Sequence, residues 1–556
     1  MRRSFMLLPF ACVAACSTDG SPPPGRATSP SPAVAASTDL RIGDYRRPFV
    51  CADPVARRHA DEGLAWIVAF NHDAAIRAFQ EATTIEPGCA FAWWGIAFAC
   101  GPNINNPQMD AARVRLAVDA ARRAVEAAER TVEVERDLAR AVAVRYVDPP
   151  PADRRALDIA FADAMRDVRR RHLDDPDVAV VFADALMNLR PWEYWKTDGA
   201  PQPETPEIVD VLQDVLAKRP RHPWAHHAWI HAVEASNDPG RAAASADFLR
   251  SHAADLGHLL HMPAHIDQRL GRYDAAIEAN RRGIEADLRY VERVGRGGFY
   301  DFYRAHNYHF LIYAAMFDGR KALCLSTLEE MEREMPLALV RTMPEFTEAF
   351  LATRWHVLVR FGLFDEVLAA PAPAEDLFAT RAHWRYARGV ALAAKGRVAE
   401  AEAELAAFSD AAARVPATYF AGRNTSKDVV AVAGAVLKGE TLFRRGDRDG
   451  AFAALREADR LERALKYDEP WGWMTPPAHA LGALLLEAGD HAAAEETYRA
   501  DLRRHPENGW ALHGLAECLK ARGAVQEAAD AERRFAAAWA RADVPLRASC
   551  FCRAGD

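Results

Sequence analysis

Residues 56–89 read ARRHADEGLAWIVAFNHDAAIRAFQEATTIEPGC. Apolar residues recur in them every three to four positions in two runs, the period of amphipathic helices, with Gly and Pro as breaks. Counted as a 34-residue frame from Ala56, Gly63 falls at slot 8, Ala75 at 20, Phe79 at 24, Ala82 at 27 and Pro87 at 32. The frame returns along the chain. The next unit puts Trp93 at 4, Ile96 at 7 and Ala97 at 8. Gly389, Gly396, Ala401 and Leu405 take 8, 15, 20 and 24, and Gly439, Gly446, Ala451, Leu455 and Ala458 take 8, 15, 20, 24 and 27. Gly482, Gly489, Ala494, Tyr498 and Pro506 follow, then Ala516, Gly523 and Ala528. Small residues at 8, 20 and 27 let two helices approach, and large ones at 4, 7 and 24 fill between them. A self-similar period of this length marks a repeat array.

The pattern resembles the tetratricopeptide repeat (TPR) over most of residues 45–540, with several units degenerate or interrupted. The resemblance implies an all-α protein, a right-handed α-solenoid of stacked helix pairs whose concave face is lined by the first helix of each pair. It also implies a peptide or protein ligand in that groove. No stretch of alternating β-branched residues competes, so no strands are expected. The repeats group into residues 41–200, a histidine-rich block 201–335 and a block 336–540, followed by a tail 541–556. Two interruptions stand out. Pro102-Asn103-Ile104-Asn105-Asn106-Pro107 reads as a functional loop or a cap, and Pro191-Trp192-Glu193-Tyr194-Trp195 as a core-packing corner. Tyr467-Asp468-Glu469-Pro470-Trp471 reads as a turn before a helix, with solvated acids.

Of 556 residues half are hydrophobic and 27% charged, enough for a large core and too apolar for wholesale disorder. The formal charge is −8, from 78 acids against 70 bases, with no basic stripe, so no nucleic-acid partner is expected. Arg169-Arg170-Arg171 shares its segment with Asp153, Asp158, Asp163 and Asp167, a solvated charged face. No internal run reaches the roughly 18 uninterrupted apolar residues of a membrane-spanning helix.

The first residues carry an address. Arg2 and Arg3 precede an apolar stretch from Phe5 to Ala15, the layout of a secretory signal over residues 1–15. It ends in Val13-Ala14-Ala15-Cys16, which resembles a bacterial lipobox, and the resemblance implies diacylation of Cys16 as the mature N-terminus. Membrane attachment is then through the lipid on Cys16 alone. Ser17 after the acylated cysteine implies sorting to the outer membrane in a two-membrane cell, so the expected location is the periplasmic or outer-membrane face. Residues 16–40 are Ser/Pro/Thr-rich and read as a flexible tether. Seven cysteines remain beyond Cys12 and Cys16. An odd, scattered set is not a disulfide framework. Cys550-Phe551-Cys552 falls in a tail expected to fray, where a local disulfide or no role at all is favoured over a soft-metal pair.

Ten of the nineteen histidines lie between residues 222 and 309. In the repeat frame they are ordered. Ala242 at slot 20 places His227, His231 and Glu234 at 5, 9 and 12. Gly271 at 15 places His258, His261 and His265 at 2, 5 and 9, and Gly319 at 15 places His306 and His309 at 2 and 5 with Tyr313 at 9. His356 takes slot 9 of its unit and His383 slot 2 of the next; Asp184 and Asn188 are candidates to extend the series backward. Slots 2, 5, 9 and 12 form one stripe down a helix, which in tetratricopeptide proteins faces the groove. Two HxxxH pairs therefore stand side by side, and converging imidazoles with a carboxylate suit Zn, Cu, Fe or Mn.

Two functions follow. One is a lipid-anchored scaffold whose groove binds a protein, a peptide or an anion. The other is a metal-dependent enzyme, hydrolytic or O2-using, with His227, His231, His261, His265 and His309 as direct ligands, His258 and His306 behind them or as further ligands, and Glu234 as ligand or general base. HExxH, GxSxG and a Gly-rich phosphate loop are all absent from the sequence.

Overall fold

The two runs of the opening stretch become the helices Pro54–Val68 and His72–Ile85. Each starts where a side chain satisfies the free backbone N–H groups of the first turn. The Asp53 carboxylate accepts from Val55 and Ala56, and the Asn71 side chain accepts from Ala74. Phe79, fully buried, is wedged between Gly63 and Gly95: a Cβ on either glycine would stand 2.7 or 2.4 Å from the ring. Tyr498 fills the same place between Gly482 and Gly514, and Leu455 packs on Gly439. The large residue of slot 24 therefore presses on the small residue of slot 8, as the frame requires.

The computed structural model describes residues 45–252 and 255–553. Over them the chain runs as helix after helix from Pro54 to Ala538, each packed on its neighbours in sequence, giving an all-α solenoid of tetratricopeptide-like pairs. The described residues cluster as one compact unit. Contrary to the expectation of no strands, Phe420–Ala421 and Asn424–Thr425 form a two-residue antiparallel hairpin, Phe420 facing Thr425. Among the described residues no helix is long and apolar enough to cross a membrane. The signal segment, Cys16 and the tether lie outside the described residues.

Distant repeats are braced across the groove. Lys466 Nζ donates to Glu193 at 2.8 Å and Arg423 Nη1 donates to the Trp192 carbonyl at 3.1 Å. The tail does not fray as expected. The Asp543 carboxylate accepts from the backbone N–H groups of Lys321 and Ala322, Ser549 donates to the His479 carbonyl at 2.8 Å, and Phe551 packs on Gly362. Cys550 and Cys552 are joined as a disulfide, with Cys552 buried.

Candidate functional site

Three successive first helices bring the histidines together. His227 and His231 stand one turn apart on Pro223–Val233. His258 and His261 lie on Gly257–His261, and His265 on the adjoining Pro263–Arg269. His306 and His309 lie on Tyr300–Phe317. His227 Nε2 is 3.0 Å from His231 Nε2 and 3.1 Å from His258 Nε2. Next to this cluster, His261 Nε2 is 2.6 Å from His265 Nε2, and His306 completes a second group whose nitrogens lie within 4.8 Å of one another. The groups adjoin through His258–His261 and His231–His265 ring contacts at 5.6 and 5.4 Å between centroids.

The opposite ring nitrogens decide what these close approaches mean. His227 Nδ1 is 2.6 Å from the Val68 carbonyl, which can only accept, so Nδ1 carries the proton and Nε2 is a bare lone pair. His261 Nδ1 is 2.8 Å from Asn280 Oδ1, while the Asn280 amide nitrogen donates to the Ala276 carbonyl. His261 Nε2 is likewise a lone pair. Glu234 sets its two oxygens 2.8 Å from His231 Nδ1 and 2.6 Å from His265 Nδ1, and Glu469 also reaches His265 Nδ1 at 2.6 Å. Four of the six rings, His227, His231, His261 and His265, are thus gripped from behind at Nδ1, while His258 Nδ1 is buried without a partner. Three imidazole nitrogens spaced in this way could hold one transition-metal ion at about 2.0–2.1 Å and leave a fourth position open. The acceptors behind them are the outer-shell partners that orient metal-binding rings.

Burial works on the same groups in opposite directions. It is the first cause, ahead of neighbouring imidazoles, that holds His227, His231, His258, His261 and His306 well below the usual histidine range. It also pushes Glu234 up to about 8, and, with the Glu234 charge beside it, Glu469 well above the usual carboxylate range. An ion between the rings would favour both the neutral imidazoles and the ionised carboxylates.

A cavity of about 420 Å³ opens onto His231, His258, His265 and His306. Its walls are aromatic, among them Trp192, Phe299, Phe302, Tyr303 and Phe350, and the 420–425 hairpin adds Phe420. The stretch expected as a core-packing corner buries Tyr194 and also supplies Trp192, set edge-on to His231 at 5.0 Å. The asparagine loop is a wall too: Trp192 Nε1 donates to Asn105 Oδ1, and the Asn105 amide donates to the Tyr303 hydroxyl, both at 3.0 Å. Phe70 stacks on His231 and His258. Phe70 and Trp192 both have left-handed backbones, φ 56° and 65°, conformations that cost non-glycine residues about 1–3 kcal/mol apiece and gather at functional sites.

No protein-family model and no curated protein matches the chain. Solved structures similar to it include yeast Tom70, at 12% identity and TM-score 0.29 over 86% of this chain and 89% of that one. They also include human IFIT1 dimer with PPP-AAAA, at 11% and 0.32 over 85% and 88%, and a Rap protein complexed with competence and sporulation factor, at 12% and 0.31 over 66% and 95%. The fold assignment rests on this chain's own helix pairs.

The sequence frame explains the grouping by a rule visible only in three dimensions. Each triad takes slots 5 and 9 of one unit and slot 2 of the next: His227, His231 and His258, then His261, His265 and His306. His309, expected as a ligand, is left out, because Tyr313 and Ala349 stand where its two companions would be. Its Nε2 lies 3.3 Å from the Met474 sulfur, and burial lowers it to about 4. Glu234 sits behind the rings, at Nδ1 of His231 and His265. Asp184 and Asn188 bond each other and do not extend the series. Glu469, expected in solvent, is buried against His265. The sign of it in the sequence was the aromatic and acidic density of residues 467–474 in a break between helices.

Proposed function

We propose that the protein is a metal-dependent enzyme that holds two transition-metal ions side by side and acts on a small molecule in the adjoining cavity. The observation that carries this reading is the convergence of Nε2 lone pairs whose Nδ1 atoms are already committed to acceptors. His227 and His261 thereby offer one fixed lone pair to each triad, with neighbouring Nε2 atoms 2.6–3.1 Å away. An all-imidazole set favours Cu or Zn among the first-row ions. Such an ion supplies a Lewis acid or an activated oxygen ligand at its open position. The chain's own residues orient the rings through Val68, Glu234, Asn280 and Glu469, and the aromatic walls exclude water. A cavity of this volume suits a small molecule; a peptide or protein partner, which a tetratricopeptide-like array is suited to hold, would dock outside it.

Protein purified without a polyhistidine tag should carry about two transition-metal ions per chain by elemental analysis, one for each triad. No bound metal, even after reconstitution with Zn, Cu, Fe and Mn salts, would sink the proposal.

We further propose that the enzyme is exported and tethered by lipid on Cys16. What supports this is the charged, apolar and Ala-Ala-Cys order of the first residues. Cys16→Ser should move the protein from the membrane to the soluble fraction and remove a diacylglycerol mass from its N-terminal peptide. An unchanged membrane fraction would refute the anchor.

A further inference from the structure

The slot rule that builds the two triads is met once more, incompletely. His356 holds slot 9 of its unit and His383 slot 2 of the next, but slot 5 is Ala352. All three line the same cavity as the triads, two repeats beyond the equivalent positions of the second triad. The two rings stand 5.5 Å apart between centroids, with Trp473 against both. Two imidazoles without a third are a poor transition-metal cage, and alanine leaves the missing ring's volume to the cavity.

The pair is polar, buried and unspent. His356 and His383 are 3% and 4% exposed, and neither His356 Nδ1 nor His383 Nε2 has a hydrogen-bond partner. For His383 the tautomer is fixed. Its Nδ1 lies 2.8 Å from the Ala379 carbonyl and must donate, so Nε2 is an acceptor with nothing to accept. Leaving such a group dry and unpaired is unfavourable. The rest of the lining is mainly aromatic and apolar, with Asn105, Ser426, Asp468 and Glu469 as further polar members, and Arg423, the cation of the lining, is already engaged by the carbonyls of Trp192 and Tyr467.

We propose that the cavity binds a small aromatic molecule bearing a hydroxyl or N–H group, whose hydrogen bond His383 Nε2 accepts while the aromatic walls hold the ring. This deepens the proposed function by naming the substrate class of the same site, with the polar group anchored two repeats away from the triads.

The test compares 2-naphthol with 2-methoxynaphthalene, which keeps the rings and loses the donor. Titration calorimetry on the full chain, metal-loaded and chelator-treated, should show 2-naphthol binding about tenfold more tightly, the scale of one buried hydrogen bond. His383→Leu should abolish that preference and leave the methoxy compound's affinity unchanged, which also reports that the variant is folded. Ala352→His, which fills the vacant slot, should weaken both compounds at least about tenfold, and it stands in if His383→Leu does not fold. Equal affinities in the wild type, a preference that survives His383→Leu, or indifference to Ala352→His would overturn the assignment. The two readings separate on the same samples. Metal without a naphthol preference overturns this inference alone, and a preference in protein that never binds metal overturns the enzyme proposal alone.

Discussion

His227→Ala will carry about half the wild-type metal, and His227→Ala/His261→Ala almost none, because each triad is a separate cage of three rings. Removing one Nε2 leaves two donors and an opening where the third closed the set. The loss should exceed the roughly 10–100-fold in affinity that follows from deleting an outer-shell partner. Glu234 touches one ring of each triad, so the surviving site in the single variant should weaken somewhat as well. His309→Ala is the control. That ring shares the helix and the cavity but no triad, so its removal should leave the metal content intact. Chelation should also lower the thermal midpoint of the wild type and barely move that of the double variant, since an ion bound only by the folded chain stabilises it. Wild-type metal in the double variant, or equal loss in His309→Ala, would show that the rings do not coordinate as grouped.

Phe79→Ala will cost about 3–5 kcal/mol, the range for emptying a fully buried aromatic site. Two of the neighbours around the hole, Gly63 and Gly95, have no side chains to move into it, which limits relaxation. The helices concerned also carry Val68 and Phe70 to the first triad. Urea unfolding followed by helical circular dichroism gives the stability, and metal titration of the folded variant gives the coupling. A loss below about 1 kcal/mol would mean that slot 24 does not wedge the pairs apart as described.

The helix pairs were legible because their information is local. Gly63, Phe79 and Gly95 announce themselves at fixed spacing, and a three- or four-residue period needs no partner elsewhere to be read. The histidine stripe was legible for the same reason, since His227/His231 and His261/His265 are neighbours one turn apart. What the stripe does not show is which rings close on each other. That depends on how far one helix is offset from the next, which is why His306 joins a triad and His309 does not. Val68, Asn280 and Glu469 were hidden for a different reason. A backbone carbonyl has no sequence signature, and Glu469 comes from a non-helical break whose acids look like ordinary surface. The tail was misread because single contacts, such as Asp543 capping Lys321 and Ala322, hold it without any periodic pattern.

The braces across the groove bear on how such a chain can evolve. Repeat arrays commonly change length by duplicating or losing a unit, because each unit meets only the ones beside it. Here Lys466 must find Glu193, Arg423 must find the Trp192 carbonyl, and Glu469 must find His265. One extra pair of helices between them would carry every brace a full repeat out of step, and one fewer would do the same in the other direction. Selection for the site is therefore selection for a fixed count of units between the histidines and the 467–474 segment. Repeats outside that interval are held to a count as well, since Val68 must reach His227 and Asp543 must reach Lys321.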